Sequence, residues 1–238
     1  MEIFMKILGI DSSGLVASAA VLSEGSIVAE FTVNNKQTHS QTLLPMIEQV
    51  INMSGISLEE LDAIAVASGP GSFTGLRIGA STAKGLGLAL EKPIIPVPTL
   101  EGLAYRLAGM DGVVCPLMDA RRNQVYTGIF RVQDHRLQVV SEQKAVDIHE
   151  MIQELNELGE KVTLLGDGVP VQRETLQEEL TVPWQEAPVH LSRQSAAAVV
   201  ALAAIYWKEG KIETADEHRP EYLRKSQAER EREKNKTI

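Results

Sequence analysis

Leu61 to Ala67 is almost continuously apolar and runs straight into Ser68-Gly69-Pro70-Gly71-Ser72-Phe73-Thr74-Gly75-Leu76-Arg77-Ile78-Gly79. A strand that is apolar on both faces needs a layer above it and a layer below, which directs the chain toward a partly parallel sheet covered by helices. The first covering helix is readable from the same stretch. It is expected over Thr74 to Leu90, with Gly75, Gly79, Gly85 and Gly87 inside it. Each interior glycine forgoes about 0.5–1 kcal/mol relative to alanine, so these positions call for a compensating contact. Gly75, Gly79, Thr82, Ala83 and Leu86 share one helical face, small over its first two turns, where another helix backbone can come close.

The same alternation extends along the chain. Met5 to Ile10, Ala17 to Leu22 and Ile27 to Val33 read as strands, the last two joined by the Ser23-Glu24-Gly25-Ser26 turn. A helix is expected over about Ser40 to Met53, with Leu43, Leu44, Ile47, Val50 and Ile51 at helical spacing, Pro45 kinking it or marking its first turn, and Gly55 closing it. Ile94 to Val97 is a further strand and Leu100 to Leu107 a further helix. Three strands, helix, strand, helix, strand is the order of a ribonuclease-H-like lobe. A second series begins at Val113, with strands at Val113 to Met118, Gln124 to Val132 and Leu137 to Val140. A helix capped by Asp147 and ended by Gly159 follows, and then the strand Val162 to Leu165. A helix from Ser192 through Trp207 completes the second lobe. The expected organisation is a first lobe over 1–108, a second over 109–224 with a long helix at about 192–209, and a flexible charged tail over 225–238.

Charge and composition exclude several classes. A net charge of -9 argues against a chain that binds nucleic acid alone, because neutralising phosphates needs clustered Lys and Arg. One cysteine, Cys115, excludes an intramolecular disulfide and a Cys-rich zinc site, and fits a reducing compartment. The apolar start carries Lys6 and lacks a small-residue cleavage pattern, and no stretch is long enough to span a membrane, so a cytoplasmic protein is expected. His39, His135, His149, His190 and His218 form no H-x-x-x-H or H-x-H pair. The serine-hydrolase elbow G-x-S-x-G is also missing, since Phe73 stands where its second glycine belongs.

Three loops invite a nucleotide. Asp11-Ser12-Ser13-Gly14 follows the first strand, where actin-like ATPases place a phosphate loop, though on local sequence alone a polar turn ending the strand is the better reading. Gly69 to Gly75 precedes a helix N-terminus, but Leu76 stands where a P-loop requires lysine and Thr74 where the dinucleotide pattern requires glycine, so a structural turn is the better reading. Gly166-Asp167-Gly168 either closes over a nucleotide or is a tight turn.

Lys6 to Ser13, His39-Ser40-Gln41 with Leu43-Leu44-Pro45, Ser68 to Gly79, Asp119-Ala120-Arg121-Arg122 with Val125-Tyr126, and Pro220 with Tyr222-Leu223-Arg224 together resemble the TsaB (YeaZ) family. The resemblance runs in order over nearly the whole chain. It implies an α/β, two-lobed actin-like (ASKHA) fold and a part in making N6-threonylcarbamoyladenosine at position 37 of tRNAs that read codons beginning with A. In that family's pathway TsaD transfers the threonylcarbamoyl group from its adenylate, TsaB supports TsaD, and TsaE is an ATPase joining them. TsaD proteins carry an H-x-x-x-H metal pair on the helix after the strand resembling Ile94 to Val97. Thr99 and Leu103 stand at those positions here, and neither replaces an imidazole ligand.

The resemblance therefore implies a non-catalytic subunit that requires no cofactor and is compatible with weak ATP or ADP binding at Asp11, Ser12, Ser13, Gly166, Asp167 and Gly168. Its expected partners are TsaD, TsaE and a second copy of itself, with tRNA met only through the complex and no membrane. The expected interface comprises Leu43, Leu44, Ile47 and Val50 of one helix with Gly75, Leu76, Gly79, Ala80, Thr82, Ala83 and Leu86 of the next. The alternatives are a small actin-like ATPase or kinase and, behind it, a glycoprotease-type peptidase.

Overall fold

The first two strands are buried on both faces and form the centre of the first lobe. The computed structural model describes residues 5–35 and 37–224. Lys6–Asp11 (β1), Ala17–Ser23 (β2) and Ser26–Val33 (β3) form an antiparallel meander, with Ile7 opposite Leu22. Ala63–Gly69 (β4) and Ile94–Pro98 (β5) then add in parallel beside β1, giving the order β3-β2-β1-β4-β5. Successive side chains of a strand point to opposite faces. Leu8 and Ile10 accordingly pack with Leu43, Met46, Ile47 and Val50 of His39–Ser54 (α1) and with Ala83 of Phe73–Leu90 (α2). Ile7 faces the other way, toward Val199, Val200 and Ala203.

Those residues belong to Ala196–Lys208 (α7), and here the structure corrects the chain-order reading. The helix begins after Ser195 rather than at Ser192, whose hydroxyl closes the 3-10 turn Val189–Leu191 by donating to the Val189 carbonyl at 3.0 Å. It covers the first sheet, not the second. An Ala- and Val-rich face suits the close approach to β1, where a Cβ on Gly9 would lie 2.3 Å from Val200 Cγ1.

The second lobe repeats the pattern with Gly112–Asp119 (β6), Gln124–Gln133 (β7), Arg136–Asp147 (β8), Ile148–Leu158 (α4), Val162–Leu165 (β9) and Trp184–Glu186 (β10), in the order β10-β9-β6-β7-β8. Asp147 caps α4 by accepting the His149 amide at 3.0 Å, and Gly159 ends it at φ 71°. Thr99–Tyr105 (α3) covers one face of this sheet through Leu100, Leu103 and Ala104, and α4 covers the other. Two short helices, Gly168–Val171 (α5) and Arg173–Glu179 (α6), and the strand β10 carry no strong periodicity and were not expected. β8 runs well beyond Val140. Pro45 lies inside α1, past its first turn. From Lys211 the chain continues along the first lobe as a strap, pairing Glu213 with Ile94 and donating the Glu221 amide to Ser68 at 2.7 Å. The expected tail over 225–238 lies outside the described residues. No helix among the described residues is long and apolar enough to cross a membrane.

Candidate functional site

The first two glycines of α2, Gly75 and Gly79, are explained by the turn that follows β1. A Cβ on Gly75 would stand 2.1 Å from the Ser12 carbonyl oxygen, and one on Gly79 would stand 2.5 Å from Ser12 Oγ. Absence of side chains lets the start of α2 seat directly on this turn. Ser12 Oγ donates to the Gly75 carbonyl at 2.8 Å, and the Ser72 amide donates to the Ser13 carbonyl at 2.7 Å. The small face of α2 thus meets the chain's own backbone rather than a second helix, which corrects the sequence-based expectation.

Asp11 ends β1 beneath this contact and is 3 % exposed. Its Oδ1 accepts the Ser13 amide at 2.9 Å and the Ser13 hydroxyl at 2.6 Å. Burial pushes the carboxyl upward from the ordinary aspartate value, opposed by the Ser13 bonds and by nearby His39. His39 Nε2 lies 2.8 Å from the Gly14 carbonyl, which can only accept, so Nε2 carries the proton there.

The second loop is equally built in. Gly166 adopts φ 107°, and a Cβ on it would lie 2.2 Å from the Leu117 carbonyl oxygen. Asp167 Oδ1 accepts the Asp119 amide at 3.1 Å, and burial raises the Asp167 carboxyl. Asp11 and Gly166 each follow a strand that pairs in parallel, the ends at which α/β sheets hold ligands. In both loops the side chains and amides named above are bonded within the chain.

Thr99 and Leu103 test whether the metal implied by the TsaD pattern fits. Thr99 Oγ1 accepts the Gly69 amide at 3.1 Å, and Leu103 is 1 % exposed within the second-sheet core. Neither offers a ligand. Among the described residues no group of three or more His, Cys, Asp or Glu gathers to hold a metal ion. Cys115 is fully buried beside Thr127, and burial pushes its thiol up to about 12, far from a nucleophile's range.

What remains open on the first lobe is a groove of about 480 Å³ between α1 and α2. Leu44, Phe73, Arg77, Ile78, Ser81 and Thr82 are among the residues that line it. Of the expected interface set, Leu43, Ile47, Val50, Gly75, Leu76, Gly79, Ala80 and Ala83 are buried in the lobe itself, Leu43 also bordering the groove. Leu44, Thr82 and Leu86 keep solvent-facing surface, Leu44 to 58 %. The expected set followed the i, i+4 series from Gly75. The outer face follows the series one and two residues earlier, through Phe73, Arg77 and Ser81 and through Thr74, Ile78 and Thr82.

Residues 26–232 match the family model described as "TsaD: tRNA N6-adenosine threonylcarbamoyltransferase". The chain is 34% identical, over 94% of its length and 96% of the relative's, to the Bacillus subtilis tRNA threonylcarbamoyladenosine biosynthesis protein TsaB. The corresponding Escherichia coli protein is 33% identical over 94% of this chain and 96% of its own. A Symbiobacterium thermophilum tRNA N6-adenosine threonylcarbamoyltransferase is 36% identical over 42% of this chain and 34% of that protein. Among solved structures, YeaZ from Pseudomonas aeruginosa superposes with a TM-score of 0.79 at 26% identity, covering 92% of this chain and 100% of that one. The ethanolamine utilization protein EutJ from Carboxydothermus hydrogenoformans, at 14% identity and a TM-score of 0.50, covers 82% of this chain and 88% of its own and is like it in fold alone. The two mixed sheets with their helices are the two-lobed, actin-like ASKHA fold.

Proposed function

The chain belongs to the TsaB family of tRNA threonylcarbamoyladenosine biosynthesis proteins, and on that premise we propose that it is a non-catalytic subunit supporting TsaD. With TsaE, it assists transfer of threonylcarbamoyl from threonylcarbamoyl-AMP to N6 of adenosine 37 in tRNAs reading codons that begin with A. The observation that carries this reading is the open, largely apolar groove between α1 and α2, on a lobe whose glycine loops are closed by their own chain. A groove flanked by two helices takes a helix or helix pair of similar shape. A TsaD-type protein of related fold offers such a pair, and a second copy of this chain offers the same one in an isologous contact. Thr99 and Leu103, occupied in fold-building contacts, support the absence of an intrinsic transferase centre. In this reading the protein works in the cytoplasm, requires no cofactor and meets tRNA through the complex.

Reconstitution with TsaD, TsaE, tRNA, threonine, bicarbonate, ATP and the enzyme that makes the adenylate tests the proposal. Modification is expected to depend on this chain, and the chain with ATP alone to release no phosphate. Modification at full rate without it, or robust ATP turnover by the chain alone, would sink the subunit reading in favour of the actin-like ATPase.

A further inference from the structure

Arg77 stands apart from Lys84, the other Lys or Arg of the paired helices. Its guanidinium carbon lies 3.9 Å above the Phe73 ring, and its Nε donates to the Tyr222 hydroxyl at 3.3 Å. Tyr222 in turn packs against Phe73, ring centroids 4.8 Å apart and planes tilted by 38°. The side chain is exposed yet held on two sides, and among the described residues its two Nη groups have no partner. Lys84, two turns further along α2, shows the contrast: its ammonium is consumed by the carbonyls of Asp216 at 3.2 Å and His218 at 3.1 Å.

Tyr222 does not come from either helix. It arrives on the C-terminal strap, fixed just before it by the Glu221 amide on Ser68 and by close approach of the Glu221 carbonyl to Gly69. The Glu221 carboxylate is itself engaged by Gln143 Nε2 at 2.7 Å. Among the described residues no acidic side chain lines the groove, and Glu48, exposed on α1, lies outside its lining. An apolar groove with a positioned, unmatched arginine at its mouth has the chemistry of an anchor for a carboxylate: charge-assisted, bidentate, and with little side-chain freedom left to lose. Arg and Tyr are also the residue types that dominate binding energy at interfaces.

Resting on the docking face assigned above, we propose that Arg77, positioned by Phe73 and by Tyr222 of the strap, is the charged anchor of that face and receives a carboxylate from the apolar helical surface of the transferase partner. The interface then extends beyond the two helices onto residues near the end of the described chain. It also favours the partner over self: among the described residues a second copy's groove lining brings no carboxylate to Arg77, so pairing of two copies there desolvates the guanidinium without an acceptor from that lining.

The test is calorimetric binding of the full chain to the transferase at about 50 and about 300 mM salt, for wild type, R77M, Y222F, Y222A and L44D, with a thermal melt of each. R77M is expected to bind about tenfold more weakly at low salt and to lose most of the salt dependence, Y222A to weaken binding severalfold, and Y222F to fall between Y222A and wild type. By sedimentation, R77M is expected to self-associate more tightly than wild type. R77M binding within about twofold of wild type, with an unchanged salt dependence, overturns the proposal. L44D separates the two readings. Wild-type binding by folded L44D removes the helix-pair face altogether, whereas loss in L44D with no change in R77M leaves that face standing and removes the arginine anchor.

Discussion

Gly75 and Gly85 sit on the same helix with opposite demands. A methyl group on Gly75 would enter the Ser12 carbonyl at 2.1 Å, while around Gly85 nothing lies within 4 Å. Gly75→Ala is expected to destabilise the protein by about 1–3 kcal/mol or more, since backbone must move. Gly85→Ala should stabilise it by about 0.5–1 kcal/mol through helix propensity alone. Chemical denaturation of the two variants checks the pair, and equal effects would remove the explanation of the α2 glycines. Asp11 supplies a pH-dependent counterpart. Because burial raises its folded-state pKa above the ordinary 3.8, its contribution is fully present below that value and is lost as pH rises through the raised one. Asp11→Asn keeps an acceptor for Ser13 and never ionises. Its unfolding free energy should therefore gain on wild type as pH rises from about 4, and parallel stability-pH curves would contradict the assignment. The need for small residues at Gly75 and Gly79 was legible in the sequence. What they make room for was not, because the Ser12 turn lies more than sixty residues away in the chain and spacing reports only which face is small.

At the scale of elements, α1 carries two adjacent leucines with different tasks. Leu43 is 1 % exposed in the core with Leu8 and Ile10, whereas Leu44 is 58 % exposed at the groove. Leu43→Ala is expected to lower stability by about 2–5 kcal/mol. Leu44→Asp should leave stability within about 0.5 kcal/mol and abolish co-elution with TsaD. Denaturation and size-exclusion chromatography report the two effects separately, and a Leu44→Asp variant that co-elutes fully would place the docking face elsewhere. Nearly every strand and long helix was readable from periodicity and caps: β9 is found at the residues expected, and Asp147 and Gly159 bound α4. α5, α6 and β10 escaped because three to seven residues are too few to show a period, and their apolar side chains, Val169, Leu176 and Trp184, are fixed by the sheet they meet. The helices that flank the groove were legible as a pair. Which stripe of each pair points outward depends on the rotation of the helices on the sheet, and that rotation is set by tertiary contact.

For the whole molecule, repetition of one strand order made two lobes legible, but chain order misassigned α7. Its apolar residues fit either sheet, and packing against Ile7 with the close approach of Val200 to Gly9 shows which one it covers. The strap is likewise invisible to periodicity. It binds the first lobe at Ile94, Ser68 and Phe73 and reaches the second through Gln143 and through Arg224, which donates to the Ala120 carbonyl. The position of α7 also imposes an order of assembly during synthesis. When the ribosome has completed β5, one face of the first sheet, with Ile7, Ala20, Ile95 and Val97 on it, is bare, and Tyr105 of α3 covers only part of it until residues 196–208 emerge. The N-terminal half of a nascent chain therefore waits for nearly the whole protein before it can close, so an interrupted translation product bears a bare apolar sheet for chaperones and proteases to recognise.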